Sequence, residues 1–287
     1  MKYFIDTEFL EGPQKENFPI SLFRKNTPPT IDLISIGIVS EDNREYYAIS
    51  KDFNLKEAWN RFQLEDDNSV GVRLACLPSK KKVYWLRENV LKPIWRELFF
   101  KEDSCLGLSN RQTETFYQDI CNGEYDQYFT FKSLKNLISH YGKTNKQIAE
   151  EIISFTKTAK WEEYPNGKFN VGNELSTEVK KMDLKWDNPE FYAYYSDYDW
   201  VVFCWLFGIM MDLPDGFPKY CRDLKQMIDE NIAKINSQAQ SISPGCPLVT
   251  AKSMAENHPK YPKQENEHNA LADARWNKRL YNFLNSL

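Results

Sequence analysis

Apolar and polar positions alternate at two different periods along this chain. In the first fifty residues the pattern is that of strands: Lys2–Asp6, then Ile31–Ser40, rich in β-branched residues, then Arg44–Ser50 after the turn-like Glu41-Asp42-Asn43. Such residues suit a pleated surface, and two runs joined by a short turn form a hairpin. Three strands in succession predict an antiparallel meander. Between the first two, Glu11–Pro29 holds four prolines and no periodicity, and reads as a loop.

Farther on, the period lengthens to that of helices. Val83–Leu98 sets Leu86, Val90, Ile94 and Leu98 on one helical face, with Pro93 expected to kink or divide it. Thr144-Asn145-Lys146-Gln147 has the form of a capping box, and Ile148, Ile152 and Phe155 continue as a stripe. Phe191–Tyr195 reads as a strand, and Trp200–Met211 as a helix apolar on nearly every side, which other elements must cover. Residues 219–236 and 269–285 are expected helices, the last with Leu271, Ala274 and Leu280 facing inward. Residues 101–130, 158–188 and 237–265 lack clear periodicity and read as insertions on one core.

Length and composition narrow the class. The 287 residues allow one enlarged domain or two modest ones, with core enough to fold unaided. The six cysteines form no CxxC pair and no Cys/His zinc spacing, so they read as reduced thiols of a cytoplasmic protein. The longest apolar run, Trp200–Met211, is twelve residues where a membrane span needs about twenty. The N-terminal MKYFIDTEFLEG breaks its apolar stretch with carboxylates, unlike a signal peptide. A net charge of -4 argues against a nonspecific nucleic-acid coat protein but leaves room for a local basic track. Residues 73–101 supply a candidate: eight lysines and arginines against only Glu88 and Glu97. That stretch is either a solvated face or a phosphate track.

Three groups carry candidate chemistry. In Asp6-Thr7-Glu8, residues i and i+2 of a strand project from one face, so two carboxylates share a small volume. Their repulsion is relieved by a cation or a proton, unless the triplet is simply a solvated strand edge, which it more often is when taken alone. In His268-Asn269-Ala270-Leu271-Ala272-Asp273, the histidine and aspartate do not converge easily within one regular helix. They converge better if Asn269 is the N-cap, which leaves His268 on the entering loop and Asp273 about one turn inside. The small Ala270, Ala272 and Ala274 would let this helix approach a sheet closely; the alternative is a surface helix with an incidental histidine. In Tyr194–Trp200, Asp199 abuts the apolar helix as either a cap or a rigid ligand, and Asp197 reads as a solvated turn residue.

Together these groups resemble the DEDDh family of 3′-5′ exonucleases, the ribonuclease-T-like branch of the ribonuclease H fold. The order is the same: Asp-x-Glu on the first strand, an Asp entering a helix midway, and His-x-Ala-x-x-Asp near the end. Asp6-Thr7-Glu8-Phe9, Ile31–Val39, Arg44–Ala48, Tyr198-Asp199 and Asp223-Leu224-Lys225 look most like the mycobacterial-type 3′-5′ exoribonuclease subfamily. The resemblance implies an α/β fold with a ribonuclease H-like mixed sheet, three antiparallel strands followed by parallel ones, flanked by helices. It implies a single exonuclease domain, with insertions at about 101–143, 158–188 and 237–262 that have no family counterpart. It also implies that Asp6, Glu8, Asp199 and Asp273 hold two divalent cations, Mg²⁺ or Mn²⁺, and that His268 is the general base.

The implied substrate is a single-stranded or 3′-overhang nucleic acid, with RNA favoured over DNA and nucleoside 5′-monophosphates as products; the resemblance is compatible with a homodimer, and the sequence does not fix the oligomeric state. Phe9 and Leu10 are candidate substrate contacts, with a core role for Phe9 as the alternative. Trp200 departs from the smaller or polar residue common in the family. Three readings compete with RNA trimming: a DNA-directed exonuclease with the same metals, a nucleic-acid-binding protein on an inactive nuclease fold, and an internal nicking activity as in other ribonuclease H folds.

Overall fold

The first strand extends well beyond its apolar start. In the computed structural model, which describes residues 1–15, 20–23, 25–66, 80–101, 119, 122–156 and 188–287, β1 spans Lys2–Gly12. It pairs antiparallel with β2 (Thr30–Ser40) as far as Gly12 opposite Thr30, so ladder hydrogen bonds carry the polar half of the strand. β2 pairs antiparallel with β3 (Glu45–Ile49). On its other edge β1 pairs parallel with β6 (Glu190–Ala193), which pairs parallel with β7 (Arg222–Asp223). The five-stranded order is β3-β2-β1-β6-β7, a ribonuclease H-like mixed sheet. A separate two-stranded ribbon joins β4 (Gln63–Asp66) to β5 (Lys80–Val83).

Strand alternation distributes the helices. Tyr3 and Ile5 pack on one face with Ile148 and Ile152 of α4 (Asn145–Thr156) and Phe203 of α5 (Ser196–Leu206). Phe4 and Tyr192 pack on the other with Leu224 and Ile228 of α6 (Leu224–Ile242), Met254 of α7 (Ala251–Asn257) and Leu280 of α8 (Ala270–Leu284). A third cluster joins Ile34 and Ile49 to Ile94 and Trp95 of α2 (Lys92–Phe99), Leu134 and Ile138 of α3 (Phe131–Tyr141), and Ala58 of α1 (Leu55–Asn60). Among the described residues no helix is long and apolar enough to cross a membrane.

Several expectations shift for physical reasons. Pro93 does not divide the predicted 83–98 helix: a π-turn over Arg87–Leu91 runs without a gap into α2, and this wider winding just before Pro93 accommodates the missing N–H. The Thr144 box forms, Thr144 N–H donating to Gln147 Oε1 at 2.9 Å and Gln147 N–H to Thr144 Oγ1 at 3.2 Å. α5 starts four residues before Trp200 and ends at Leu206, followed by Gly208 at φ +116. Among the described residues its Val201 and Trp205 remain exposed, so the covering expected for this helix is incomplete. α3 and α7 lie in stretches where no helix was expected. Much of the two earlier expected insertions, at 102–118, 120–121 and 157–187, lies outside the described residues, as do Arg73, Cys76, Cys105 and Cys121.

One close contact sets the position of the site. An added Cβ on Gly37, opposite Asp6 in the β1–β2 register, would lie 2.3 Å from the Ala270 carbonyl oxygen. Only glycine admits the start of α8 at this distance from the sheet. Ala270 and Ala274, both fully buried, continue that close packing.

Candidate metal centre

Four acids reach one pocket from three elements. Asp6 and Glu8 project from the α8 side of β1, and Asp273 comes from the first turn of α8. Carboxylate oxygens of these three lie within 4.8 Å of one another. Asp199, in the first turn of α5, lines the same pocket of about 300 Å³. It is held from the opposite side of β1, where the Thr7 N–H and Oγ1–H donate to its Oδ1 at 2.8 and 2.6 Å. Thus the triplet acts on both faces: its outer residues present carboxylates, and its middle residue clamps a third acid.

α8 delivers Asp273 by a local device. The Asn269 side chain caps the helix, accepting from the Ala272 N–H at 3.0 Å. His268 precedes the cap with φ +67, a left-handed conformation uncommon for a non-glycine residue. That backbone turns the His268 N–H onto Asp273 Oδ2 at 2.9 Å, while Gln264 Nε2 donates to Oδ1 at 2.6 Å. The His268 ring lines the pocket and meets the edge of Trp85, ring centroids 4.7 Å apart. Tyr195, which begins α5, is also left-handed at φ +56 and lines the pocket. Strained backbone of this kind concentrates at functional sites.

The charges are poorly balanced. Burial pushes Asp6 well above the usual carboxylate range, and Asp199, Glu8 and Asp273 raise it further. Burial, then Asp273 and Asp199, push Glu8 up to about 8. Burial lifts Asp199 to about 7 against the pull of its Thr7 hydrogen bonds. Asp273 is raised by burial and held back by Gln264 and His268. No lysine or arginine lines the pocket among the described residues. An all-oxygen donor set with unrelieved mutual repulsion fits a hard divalent cation such as Mg²⁺ or Mn²⁺.

The other candidates separate clearly. Asp197 is exposed on α5. Phe9 is half-buried at the pocket rim, its ring 5.7 Å from that of Tyr198. Leu10 does not line the pocket; it is 1 % exposed in the cluster with Ile34 and Ile49, leaving no side-chain surface for a ligand. Trp200 is a core residue, stacked 5.0 Å from Phe203. Thr7, Gln264, Trp85 and Asn277 are among the neighbours of the site to which the sequence reading gave no role. Only two had a signal: Thr7 inside the triplet, and Asn277 four residues after Asp273 on one helical face. Asn277 is buried, and its Nδ2 donates to the Ile5 carbonyl at 2.9 Å, tying α8 to β1 one residue before Asp6.

No protein-family model matches the sequence. The chain is similar over its whole length to two proteins of Mycobacterium tuberculosis, from strains CDC 1551 / Oshkosh and ATCC 25618 / H37Rv, each named a 3′-5′ exoribonuclease. Each is 22% identical over 286 residues, covering 100% of this chain and 94% of the relative.

Proposed function

We propose that this protein is a divalent-metal-dependent 3′-5′ exonuclease of the DEDDh type, trimming RNA from its 3′ end to nucleoside 5′-monophosphates. The observation that carries this reading is the convergence of Asp6, Glu8 and Asp273 within 4.8 Å, in a pocket also lined by Asp199 and His268. The full-length similarity to proteins named 3′-5′ exoribonuclease supports RNA as the substrate class.

In this reading Asp6, Glu8, Asp199 and Asp273 hold two Mg²⁺ or Mn²⁺ ions. Bound there, such ions stabilise charge on the attacking and leaving oxygens of an in-line phosphoryl displacement. The remaining tasks fall to the chain. Thr7 fixes the orientation of Asp199 through two hydrogen bonds to one oxygen. An imidazole nitrogen of His268 takes the proton of the attacking water, the general-base role that histidine most often fills. Asp273 anchors the His268 backbone, and Trp85 bounds the ring on one side. Phe9 and Tyr198 offer an aromatic surface at the rim for the terminal base or ribose.

The test is purified protein with 5′-labelled single-stranded RNA and Mg²⁺ or Mn²⁺. A descending ladder with release of 5′-mononucleotides, abolished by Asp6→Asn, is the expected result. A few internal cuts, or binding without nucleotide release, would refute trimming. Faster degradation of a matched DNA would move the substrate class to DNA.

A further inference from the structure

Among the described residues no base of the 73–101 stretch lines the pocket, yet three of its eight bases sit on an element that grows from the pocket's edge. β5 carries Lys80, Lys81 and Lys82 in succession, all exposed, opposite Asp66, Glu65 and Leu64 of β4. Although two of these neighbours are acids, none of the three lysines forms an ion pair among the described residues. Lys80 and Lys82 share a face with Leu64 and stand about 6.8 Å apart along the strand. Lys82 Nζ lies 4.4 Å over the ring of Phe62, which is 41 % exposed. A two-stranded ribbon is marginally stable by itself, so stability does not explain a run of lysines beside open aromatic surface.

The root of the ribbon is tied to the far end of β1 on one side and to the pocket's His268 on the other. Before β4, the Arg61 guanidinium donates to the Glu11 carbonyl and, at 3.1 Å, to the Pro13 carbonyl, just past Glu8 and Phe9 on the β1 path. After β5, Trp85 lies edge-to-face against His268 and is 40 % exposed. Arg87 then secures the return, donating to the Trp59 carbonyl at 2.8 and 2.6 Å with its guanidinium 4.0 Å from the Tyr84 ring. Going outward from His268, the surface therefore runs from an exposed indole to spaced ammonium groups. Alternating aromatic faces and cations are how proteins hold a single strand without reading its sequence.

We infer that the β4–β5 ribbon binds the sugar–phosphate backbone of a single-stranded polynucleotide, upstream of the 3′ end that enters the carboxylate pocket. Its direction relative to the strand rests on the exonuclease reading; its binding of the backbone does not. Lysines also protect exposed strand edges from pairing with other chains, and that role alone predicts no nucleic-acid affinity.

The experiment measures binding without turnover: fluorescence anisotropy of a labelled single-stranded RNA in EDTA, across a salt series. Wild type is compared with the combined Lys80→Ala, Lys81→Ala, Lys82→Ala variant. A charge-matched control carries Lys132→Ala, Lys135→Ala and Lys146→Ala, exposed positions on α3 and α4. Three phosphate contacts add about 2 to the log–log salt slope for a single strand, so from about 50 to 200 mM salt the wild type loses about 20-fold more affinity than the ribbon variant. The control is expected to keep the wild-type slope. Parallel salt lines for wild type and ribbon variant, an equal change in the control, or no binding by wild type would each overturn the inference. Ribbon-dependent binding by a protein that releases no nucleotide with Mg²⁺ or Mn²⁺ would keep this inference and defeat the exonuclease reading.

Discussion

Replacing Glu8 with glutamine should stabilise the metal-free protein at mildly alkaline pH while disabling its chemistry. Burial and the charges of Asp273 and Asp199 raise Glu8 from 4.5 to about 8. An acid whose folded pKa lies above its unfolded one holds its proton more tightly in the native state. Its contribution to stability is thus intact below about pH 4.5 and is lost as the pH rises to about 8. At ~1.4 kcal/mol per unit the whole shift corresponds to about 4–5 kcal/mol, and solvent reaching a half-buried side chain reduces it to on the order of 2 kcal/mol.

For a chain of this size that is a gain of about 4–8 °C in Tm at pH 8, and close to none near pH 4.5. Thermal unfolding of wild type and Glu8→Gln in EDTA at several pH values provides the measurement. The difference between the two proteins is the useful quantity, because salt-bridged acids elsewhere, such as Asp126, shift stability with pH in the opposite sense. A variant no more stable at pH 8, or a difference that does not grow with pH, would refute the reasoning. Mn²⁺ added at pH 8 should close the gap by stabilising wild type more than the variant.

Three further outcomes follow from the geometry. Gly37→Ala places a Cβ 2.3 Å from the Ala270 carbonyl and should destabilise by about 1–3 kcal/mol in urea titration, with nucleotide release falling as α8 is displaced; unchanged stability and rate would mean that α8 does not rest on β2 there. Asp199→Ala should abolish release, whereas Asp197→Ala, at an exposed position, should retain it; equal loss in both would show that the wrong acid was chosen. Thr7→Val removes the 2.6 Å hydrogen bond to Asp199 and, at about 1.5–3 kcal/mol for a bond to a charged group, should slow release roughly 10- to 100-fold with an unchanged circular dichroism spectrum.

Where sequence spacing alone determines geometry, the sequence reading anticipated the structure. Side-chain alternation puts Asp6 and Glu8 together, and an Asn269 cap puts His268 outside α8 and Asp273 one turn in. Pro93 marked an irregularity in this helix, though not that a π-turn would absorb it without a break. Errors arose where long-range pairing or a polar surface concealed an element. β1 continues to Gly12 because β2 pairs with it, whatever its side chains. α5 begins at Ser196, but its first turn faces the pocket and is polar, so the apolar pattern began too late. α3 buries only Leu134 and Ile138, too little to show as a stripe. Gln264 and Trp85 come to the site from loop and helix-start positions that no local pattern specifies.

The seating of α8 against Gly37 also imposes an order in time. A ribosome makes Asp6 and Glu8 first and Asp273 267 residues after Asp6, a delay of roughly 13–53 s at 5–20 residues per second. Throughout that interval the meander can fold, and later Asp199 can join Thr7, yet the acidic centre lacks the aspartate and histidine that α8 and its entering loop supply. On the exonuclease reading, a chain still being translated therefore holds its strand-borne carboxylates beside the messenger that encodes it without the means to use them.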